Sequence, residues 1–215
     1  MTGSIPAIVV LLALALSYWF VLRARYRVWG ATKEDITRVM PGDAEVPDPS
    51  YETTLAVTID ALPSEIWPWL VQLGYRRGGL YSYDWLDRLF GFLDAPSAER
   101  ILPEYQRLDA GDVIPIGRGA GFPVTAVEPR RLLVLGGERD GFQWTWQLAL
   151  FPVDEQRTRL VSRNRARLPK TLGASMFMAV LEPAAFIMTR KMLLGLKRRA
   201  EAIASGRSGA IARVA

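Results

Sequence analysis

Hydrophobic and polar residues alternate with a period of two through much of this chain. Across Tyr51–Asp60, the apolar residues Leu55, Val57 and Ile59 alternate with threonine and alanine, as is typical of a half-buried β-strand. The same alternation returns after Asp109 and predicts five further strands, within residues 112–117, 121–129, 130–138, 141–154 and 157–168. In the fourth of these, one face carries Phe142, Trp144, Trp146, Leu148 and Leu150.

Apolar residues at helical spacing flank this run of strands. Pro63 opens a predicted helix that Gly74 ends, and residues 97–108 predict a short helical piece. A long amphipathic helix is predicted from Pro183, and the preceding Lys170–Glu182 is interpreted as a separate helix or a lid. Strands segregated from helices in this order predict an α+β fold, with an antiparallel sheet curving over the last helix.

The N-terminal stretch Ile5–Leu22 contains no charged residue and would span about 27 Å as a helix, close to the thickness of the bilayer hydrocarbon. Tyr18, Trp19 and Phe20 stand where an interfacial aromatic belt would lie, and three arginines follow. A cleavable signal peptide would carry its positive charge before the apolar core, and a buried core helix would be shorter. We therefore predict a single-pass membrane anchor, with the domain facing the cytoplasm.

Composition shifts divide the chain into four predicted parts. Residues 1–28 form the anchor, and the proline- and acid-rich residues 29–50 read as a linker. Residues 51–204 form the folded domain, and the small and polar residues 205–215 predict a disordered tail.

The chain has no histidine and no cysteine, which excludes histidine-based catalytic triads, thiol nucleophiles and the usual zinc sites. We expect neither a metal nor another cofactor. The net charge of +5 is spread along the chain and predicts no nucleic-acid partner. The motif GRGAGF (Gly117–Phe122) is followed by a proline and a strand, so it is a glycine-rich turn and no phosphate-binding loop.

The segment GGLYSYDWLDRLFG (Gly78–Gly91) combines two adjacent glycines, several aromatic residues and two aspartates. It fits a packed helix capped by Ser82, with an apolar stripe through Leu86, Leu89, Phe90 and Leu93. It also fits the wall of a binding pocket, or an active site in which Asp84 and Asp87 form a coupled pair. The sequence leaves all three interpretations open.

Several segments resemble the SRPBCC or helix-grip superfamily, which includes START lipid-transfer domains, birch-pollen-allergen-like proteins and polyketide aromatase/cyclases. They are IDALPSEIWPWLVQLG, RGGLYSYDWLDRLFG, RILPEYQRLDAGD, TRLVSRNRAR and LEPAAFIMTRKMLLGLKRRAE, within about residues 51–204. They look like a small bacterial branch with a membrane anchor. The resemblance implies a helix-grip fold, a curved antiparallel sheet wrapped around a long C-terminal helix, with a cavity for a hydrophobic ligand. The anchor lies outside the superfamily pattern.

The leading hypothesis is a membrane-tethered domain that binds a hydrophobic small molecule or lipid, and it favours binding over catalysis. Its candidate ligand-binding residues are Trp67, Tyr81, Tyr83, Trp85, Trp144, Trp146, Arg163, Arg165, Phe186 and Arg190. The alternatives are a polyketide cyclase- or dehydratase-like enzyme, with acid–base candidates Asp84, Tyr81 and Tyr83, and an interaction module with a filled core. For the aromatic residues, core packing is the other interpretation; for the arginines, it is a solvent-facing position or, for Arg190, a salt bridge.

Overall fold

A computed structural model describes residues 9–10, 13, 17–139 and 141–212 of the chain. Six strands form one antiparallel sheet in the order β1-β6-β5-β4-β3-β2. Their bounds are β1 (Tyr51–Ile59), β2 (Val113–Gly117), β3 (Ala120–Glu128), β4 (Leu132–Arg139), β5 (Phe142–Pro152) and β6 (Thr158–Arg167). The predicted α+β architecture is confirmed, with one strand for each alternating segment.

In the described residues from Tyr18 onwards, five α-helices accompany the sheet: α1 (Arg23–Arg27), α2 (Lys33–Thr37), α3 (Pro63–Val71), α4 (Asp84–Leu89) and α5 (Leu172–Ala212). A turn of π-helix (Tyr18–Leu22) leads into α1, and 3₁₀ turns occupy Pro41–Glu45 and Pro103–Tyr105. The helix predicted at 97–108 is wrong, because that segment is irregular apart from the second 3₁₀ turn. Pro103 opens this turn, and carbonyls of the segment instead accept bonds from Gln72 and Arg199.

The main core lies between the inner face of the sheet and α5. Leu55, Leu148 and Leu160 project from neighbouring strands on this face and are at most 2% exposed. Leu193 and Leu196 of α5 complete the layer and are fully buried. A helix packed along one face of an antiparallel sheet is the arrangement that the helix-grip resemblance implies.

The outer face of the sheet is covered by residues 30–46, and this corrects the expectation that 29–50 is only a linker. Met40 and Val46 of this strap are 2% and 1% exposed, and Met40 packs in a second apolar cluster with Val134 and Val161. Gly42 fits tightly, because its N–H donates to Gln147 Oε1 at 2.9 Å and a Cβ there would lie 2.8 Å from the Gln147 side chain. The strap is therefore part of the folded domain.

The C-terminal helix is a single element, longer than predicted at both ends. Thr171 begins it, since its Oγ1 accepts from the Ala174 N–H at 3.2 Å. Pro183 lies inside the helix and does not start it. The helix continues to Ala212, so it includes most of the tail for which we predicted disorder.

Half of the predicted anchor, Ile5–Leu22, lies outside the described residues, so the anchor stays a prediction. Among the described residues, one helix, Leu172–Gly206, is long and apolar enough to cross a membrane. Its most apolar window has a mean hydropathy of 1.5 and is only 6% buried. That helix is α5, and most of the residues at its start, Leu172–Val180, are exposed.

Candidate functional site: an apolar cavity beneath the C-terminal helix

A cavity of about 300 Å³, here called the first chamber, lies between α5 and the approach to α4. Trp146 and Phe122 form its sheet side, and Met188 and Met192 project from α5. Phe90, which follows α4 directly, is 51% exposed and marks the point where the chamber meets the surface. The remaining lining residues are Leu80, Ser82, Phe92, Ile116, Leu181, Ala184, Ala185 and Thr189.

A second chamber of about 410 Å³ lies farther along the same groove. Trp144, Phe142 and Tyr51 contribute aromatic walls, and Phe186 closes it from α5. The two chambers share four lining residues: Phe122, Leu181, Ala185 and Thr189. Both volumes fall in the range of about 300–1,000 Å³ that is typical of small-molecule pockets.

The strand alternation explains why two tryptophans meet the cavity. Trp144 and Trp146 are two positions apart on β5, so both point to the inner face. Trp146 is fixed by a 2.9 Å hydrogen bond from its indole Nε1 to Ser162 Oγ on β6. Phe122 packs against both indoles, with ring centroids 4.9 Å from Trp144 and 5.7 Å from Trp146. This aromatic cluster separates the chambers.

Apart from Arg165, the polar side chains directed into the chambers are neutral. They are the hydroxyls of Tyr51, Thr53, Ser82 and Thr189 and the amide of Asn164. Thr145 also borders the second chamber, but the alternation of β5 directs its side chain to the outer face. Burial raises the pKa of Tyr51 to about 12, so its phenol stays protonated at neutral pH. Among the described lining residues, Arg165 is the one with a charge.

The guanidinium of Arg165 is directed away from the cavity. It pairs with Glu52 at 3.1 Å and with Asp43 at 3.6 Å on the outer face. Arg163, two residues earlier, points the same way and is 2% exposed. Its Nη1 lies 2.7 Å from Asp43 Oδ2, and it also donates to strap carbonyls. The two arginines therefore hold the strap, which corrects their interpretation as ligand contacts.

The remaining aromatic and basic candidates lie outside the chamber linings. Trp67 borders a separate surface cleft, and Trp85 is 67% exposed. Lys191 and Arg190 of α5 make cation–π contacts outside the chambers. The Lys191 ammonium lies 5.4 Å from the centre of the Tyr83 ring, and the Arg190 guanidinium lies 4.9 Å from the centre of the Trp29 ring.

Tyr81 serves as an anchor for the loop that leads to α4. It is 1% exposed and has a φ of 55°, a left-handed conformation that is unusual for a bulky residue. Gln72 Nε2 donates to its hydroxyl at 2.8 Å, and Ser97 Oγ accepts from its backbone N–H at 3.2 Å. Asp84 in turn accepts from Ser97 Oγ at 2.7 Å. These contacts position α4, and they occupy two of the three acid–base candidates.

The short helix α4 turns most of its predicted apolar stripe to solvent and its polar side to the interior. Its fully buried residue is Asp87, whereas Trp85 and Leu89 are 67% and 71% exposed. Within the described part of the chain, neither carboxylate oxygen of Asp87 has a hydrogen-bond partner. Burial, and then the charge of Asp84, raise the pKa of Asp87 to about 6. The hydrophobic side of the helix therefore faces outwards at the rim of the first chamber.

Phe122 is the central lining residue that sequence reasoning missed. It was assigned to the glycine-rich turn, although it stands two positions before the buried Val124 on β3. The alternation of β3 places Phe122 on the same face as Val124, which the structure shows to be the inner face. Phe90 was also missed as a lining residue. Helical spacing predicts a packed core position for it, whereas the structure places it half exposed at the first chamber.

No protein-family model and no curated protein matches this chain. Solved structures do match it. Protein MLL2253 from Mesorhizobium loti is 14% identical over 70% of this chain and 97% of its own, with a TM-score of 0.40. TTHA0849 from Thermus thermophilus is 14% identical over 71% of this chain and 99% of its own, with a TM-score of 0.40. The di-domain ARO/CYC BexL from the BE-7585A biosynthetic pathway is 14% identical over 70% of this chain and 46% of its own, with a TM-score of 0.39. Similarities this distant bear on the fold alone.

Proposed function

We propose that this protein is a membrane-tethered member of the helix-grip superfamily that binds an uncharged hydrophobic small molecule or lipid beneath α5. The observation that supports it most directly is the pair of adjoining apolar chambers, each large enough for a small-molecule ligand. A filled core, which the interaction-module alternative requires, would leave no such space.

The neutral lining supports an uncharged ligand. A carboxylate or phosphate group would lose its hydration on entry and would need a cation in compensation. Since Arg165 turns its guanidinium to the outer face, the described lining provides hydroxyls and one side-chain amide. These groups suit a few hydrogen bonds to a ligand that is otherwise apolar.

The enzyme alternative has less support from the geometry. Tyr81 and Asp84 are engaged in holding the α4 loop, and Tyr83 lies under Lys191. A general acid or base needs to be within hydrogen-bond reach of the reacting group. None of the three lines either chamber among the described residues. Binding therefore fits the site better than turnover does.

Native mass spectrometry of the full chain, released from detergent in the gas phase, tests this proposal. We expect the wild type to carry a stoichiometric adduct with the mass of a chamber-sized apolar molecule. Ala185→Phe fills the boundary shared by both chambers and should lose the adduct. Ala202→Phe, an exposed position on the same helix, is the matched control and should keep it. An adduct retained by both variants would place the bound molecule elsewhere and contradict the proposal.

A further inference from the structure

The first turns of α5, Leu172–Leu181, extend from the domain with large apolar side chains exposed, while Ala174 and Met178 are half-buried on the side towards the second chamber. Leu172, Met176, Phe177 and Val180 are 79%, 63%, 63% and 78% exposed. Between Lys170 and Glu182 the chain has no charged residue. A helix that is hydrophobic around its whole circumference normally lies in a protein core or a membrane. Since the segment is outside this core, it needs another apolar environment.

The projecting segment lies on the same side of the domain as the turn of π-helix that leads into α1. Contacts between residues 23–29 and α5 advance together along the two segments: Arg23 with Glu182, Tyr26 with Phe186, and Trp29 with Arg190. The two segments therefore run parallel. Leu172 lies about 15 Å from Glu182 along the helix axis, on the side where Tyr18–Leu22 leads into α1.

A cluster of paired charges marks the base of the projection. Glu182 is 1% exposed and accepts from Arg23 at 2.9 Å, from Arg27 at 2.5 Å and from the hydroxyl of Tyr26 at 3.1 Å. Arginines beside a hydrophobic span are typical of the cytoplasmic headgroup region, where they favour anionic lipids. The carboxylate thus sits at the expected boundary with both arginines as partners.

Several polar groups at the start of the projecting segment are paired within the chain, which lowers the cost of a hydrocarbon environment. Thr171 donates its N–H to the Pro169 carbonyl at 2.8 Å, and its Oγ1 caps the Ala174 N–H. The hydroxyl of Ser175 donates back to the Thr171 carbonyl at 3.2 Å. Lys170 is the single charge near the tip, and its flexible stem can direct the ammonium group towards headgroups or water.

From these observations we propose that Leu172–Leu181 is a second bilayer-inserted element, embedded beside the N-terminal anchor in the hydrocarbon of the cytoplasmic leaflet. A lipid environment accounts for the exposed apolar side chains between Leu172 and Val180, and the arginines that follow the predicted anchor favour a bilayer over a protein partner. The inference rests on the proposed function, and it adds the route of the ligand. Met178 lines the second chamber and Leu181 lines both, so the inner side of the inserted segment adjoins the cavity. The outward-facing Phe90 lines the first chamber where it meets the surface. The cavity therefore opens to the lipid phase.

Site-specific depth quenching tests this directly, because the chain has no native cysteine. Single cysteines at Val10, Phe177, Val180 and Val153 are labelled with a polarity-sensitive fluorophore. Full-length protein is then reconstituted into phosphatidylcholine vesicles with or without brominated acyl chains. Val10 reports the anchor, and Val153, 51% exposed on the β5–β6 turn, is the water-exposed control.

We expect labels at Phe177 and Val180 to be quenched by brominated chains as strongly as the label at Val10, and the label at Val153 to be unaffected. If Val10 is quenched and Phe177 is not, the second element is refuted while the tether survives. If Val10 is not quenched, the tether of the proposed function fails and the insertion fails with it. Disulfide formation between copies of the unlabelled Phe177→Cys variant under an added oxidant, together with a lack of quenching of the labelled variant, would assign this surface to a second copy and overturn the proposal.

Discussion

Replacing the buried carboxyl of Asp87 by an amide should make the protein more stable at neutral pH and leave it unchanged in acid. Asp87 is fully buried, its carboxylate oxygens have no hydrogen-bond partner, and its pKa is raised from 3.8 to about 6. Asparagine has nearly the same shape and does not ionise, so Asp87→Asn removes the titration with little change in volume.

The sign of the pH effect follows from proton linkage. Between about pH 4 and pH 6 the unfolded chain has lost the proton of Asp87 while the folded protein still holds it, so stability falls as pH rises. Below that window both states are protonated and the group has no effect. A shift of about two pKa units, at 1.36 kcal/mol per unit, corresponds to about 3 kcal/mol above pH 6.

Thermal unfolding followed by tryptophan fluorescence measures this difference in the detergent-solubilised full chain. For a protein of this size, about 3 kcal/mol corresponds to a Tm higher by roughly 6–12 °C for Asp87→Asn at pH 7.5. At pH 4, close to the pKa of 3.8 in the unfolded chain, the difference should shrink to at most about 2 °C. Asp60→Asn, at an exposed position, is the matched control and should follow the wild type at both pH values.

A Tm difference that is the same at pH 4 and pH 7.5 would refute the reasoning, because a packing or hydrogen-bonding effect of asparagine has no reason to follow the titration. Asp84→Asn provides an independent check. Since the charge of Asp84 contributes to the raised pKa, its removal should move the stability window of Asp87 to lower pH.

Two further substitutions test the strap and the seat of α5. Arg163→Met leaves Asp43 without its closest ionic partner and should cost about 3 kcal/mol in denaturant unfolding, while the ligand adduct is retained; loss of the adduct in a folded variant would restore Arg163 as a ligand contact. Gly195→Ala would place a Cβ 2.4 Å from the Tyr81 carbonyl oxygen and should lower stability by about 1–3 kcal/mol. Gly206→Ala, which meets no atom within 4 Å, is its control and should be neutral or slightly stabilising.

The strands could be predicted because their signal is local. Alternation along β5 was sufficient to place Trp144 and Trp146 on one face, and the structure puts both on the cavity side. The neighbouring β6 was located equally well, but the direction of its arginines was not. A period of two separates the faces of a strand without saying which face is inner.

The strap could not be predicted, because its partners are remote in sequence. Burial alone would raise the pKa of Asp35 in the strap. Hydrogen bonds from Arg159 and Thr32 outweigh burial and hold that pKa below its usual value. Asp43 meets Arg163 across 120 residues. Acids and prolines without periodicity read as a linker when these partners are unknown. The burial of Asp87 in α4 could not be predicted for a similar reason, because the residues that surround it are brought there only by the fold.

The distribution of charge indicates how the cavity would select a ligand. Arg163 and Arg165 hold the strap on the outer face, and Arg23 and Arg27 neutralise Glu182 at the base of α5. With these charges engaged elsewhere, discrimination falls to shape and to a few neutral hydrogen bonds. An apolar pocket distinguishes one methylene by only about 1–3 kcal/mol. We therefore expect the cavity to accept a class of apolar molecules of similar length, with Phe122 between the chambers setting the width that can pass.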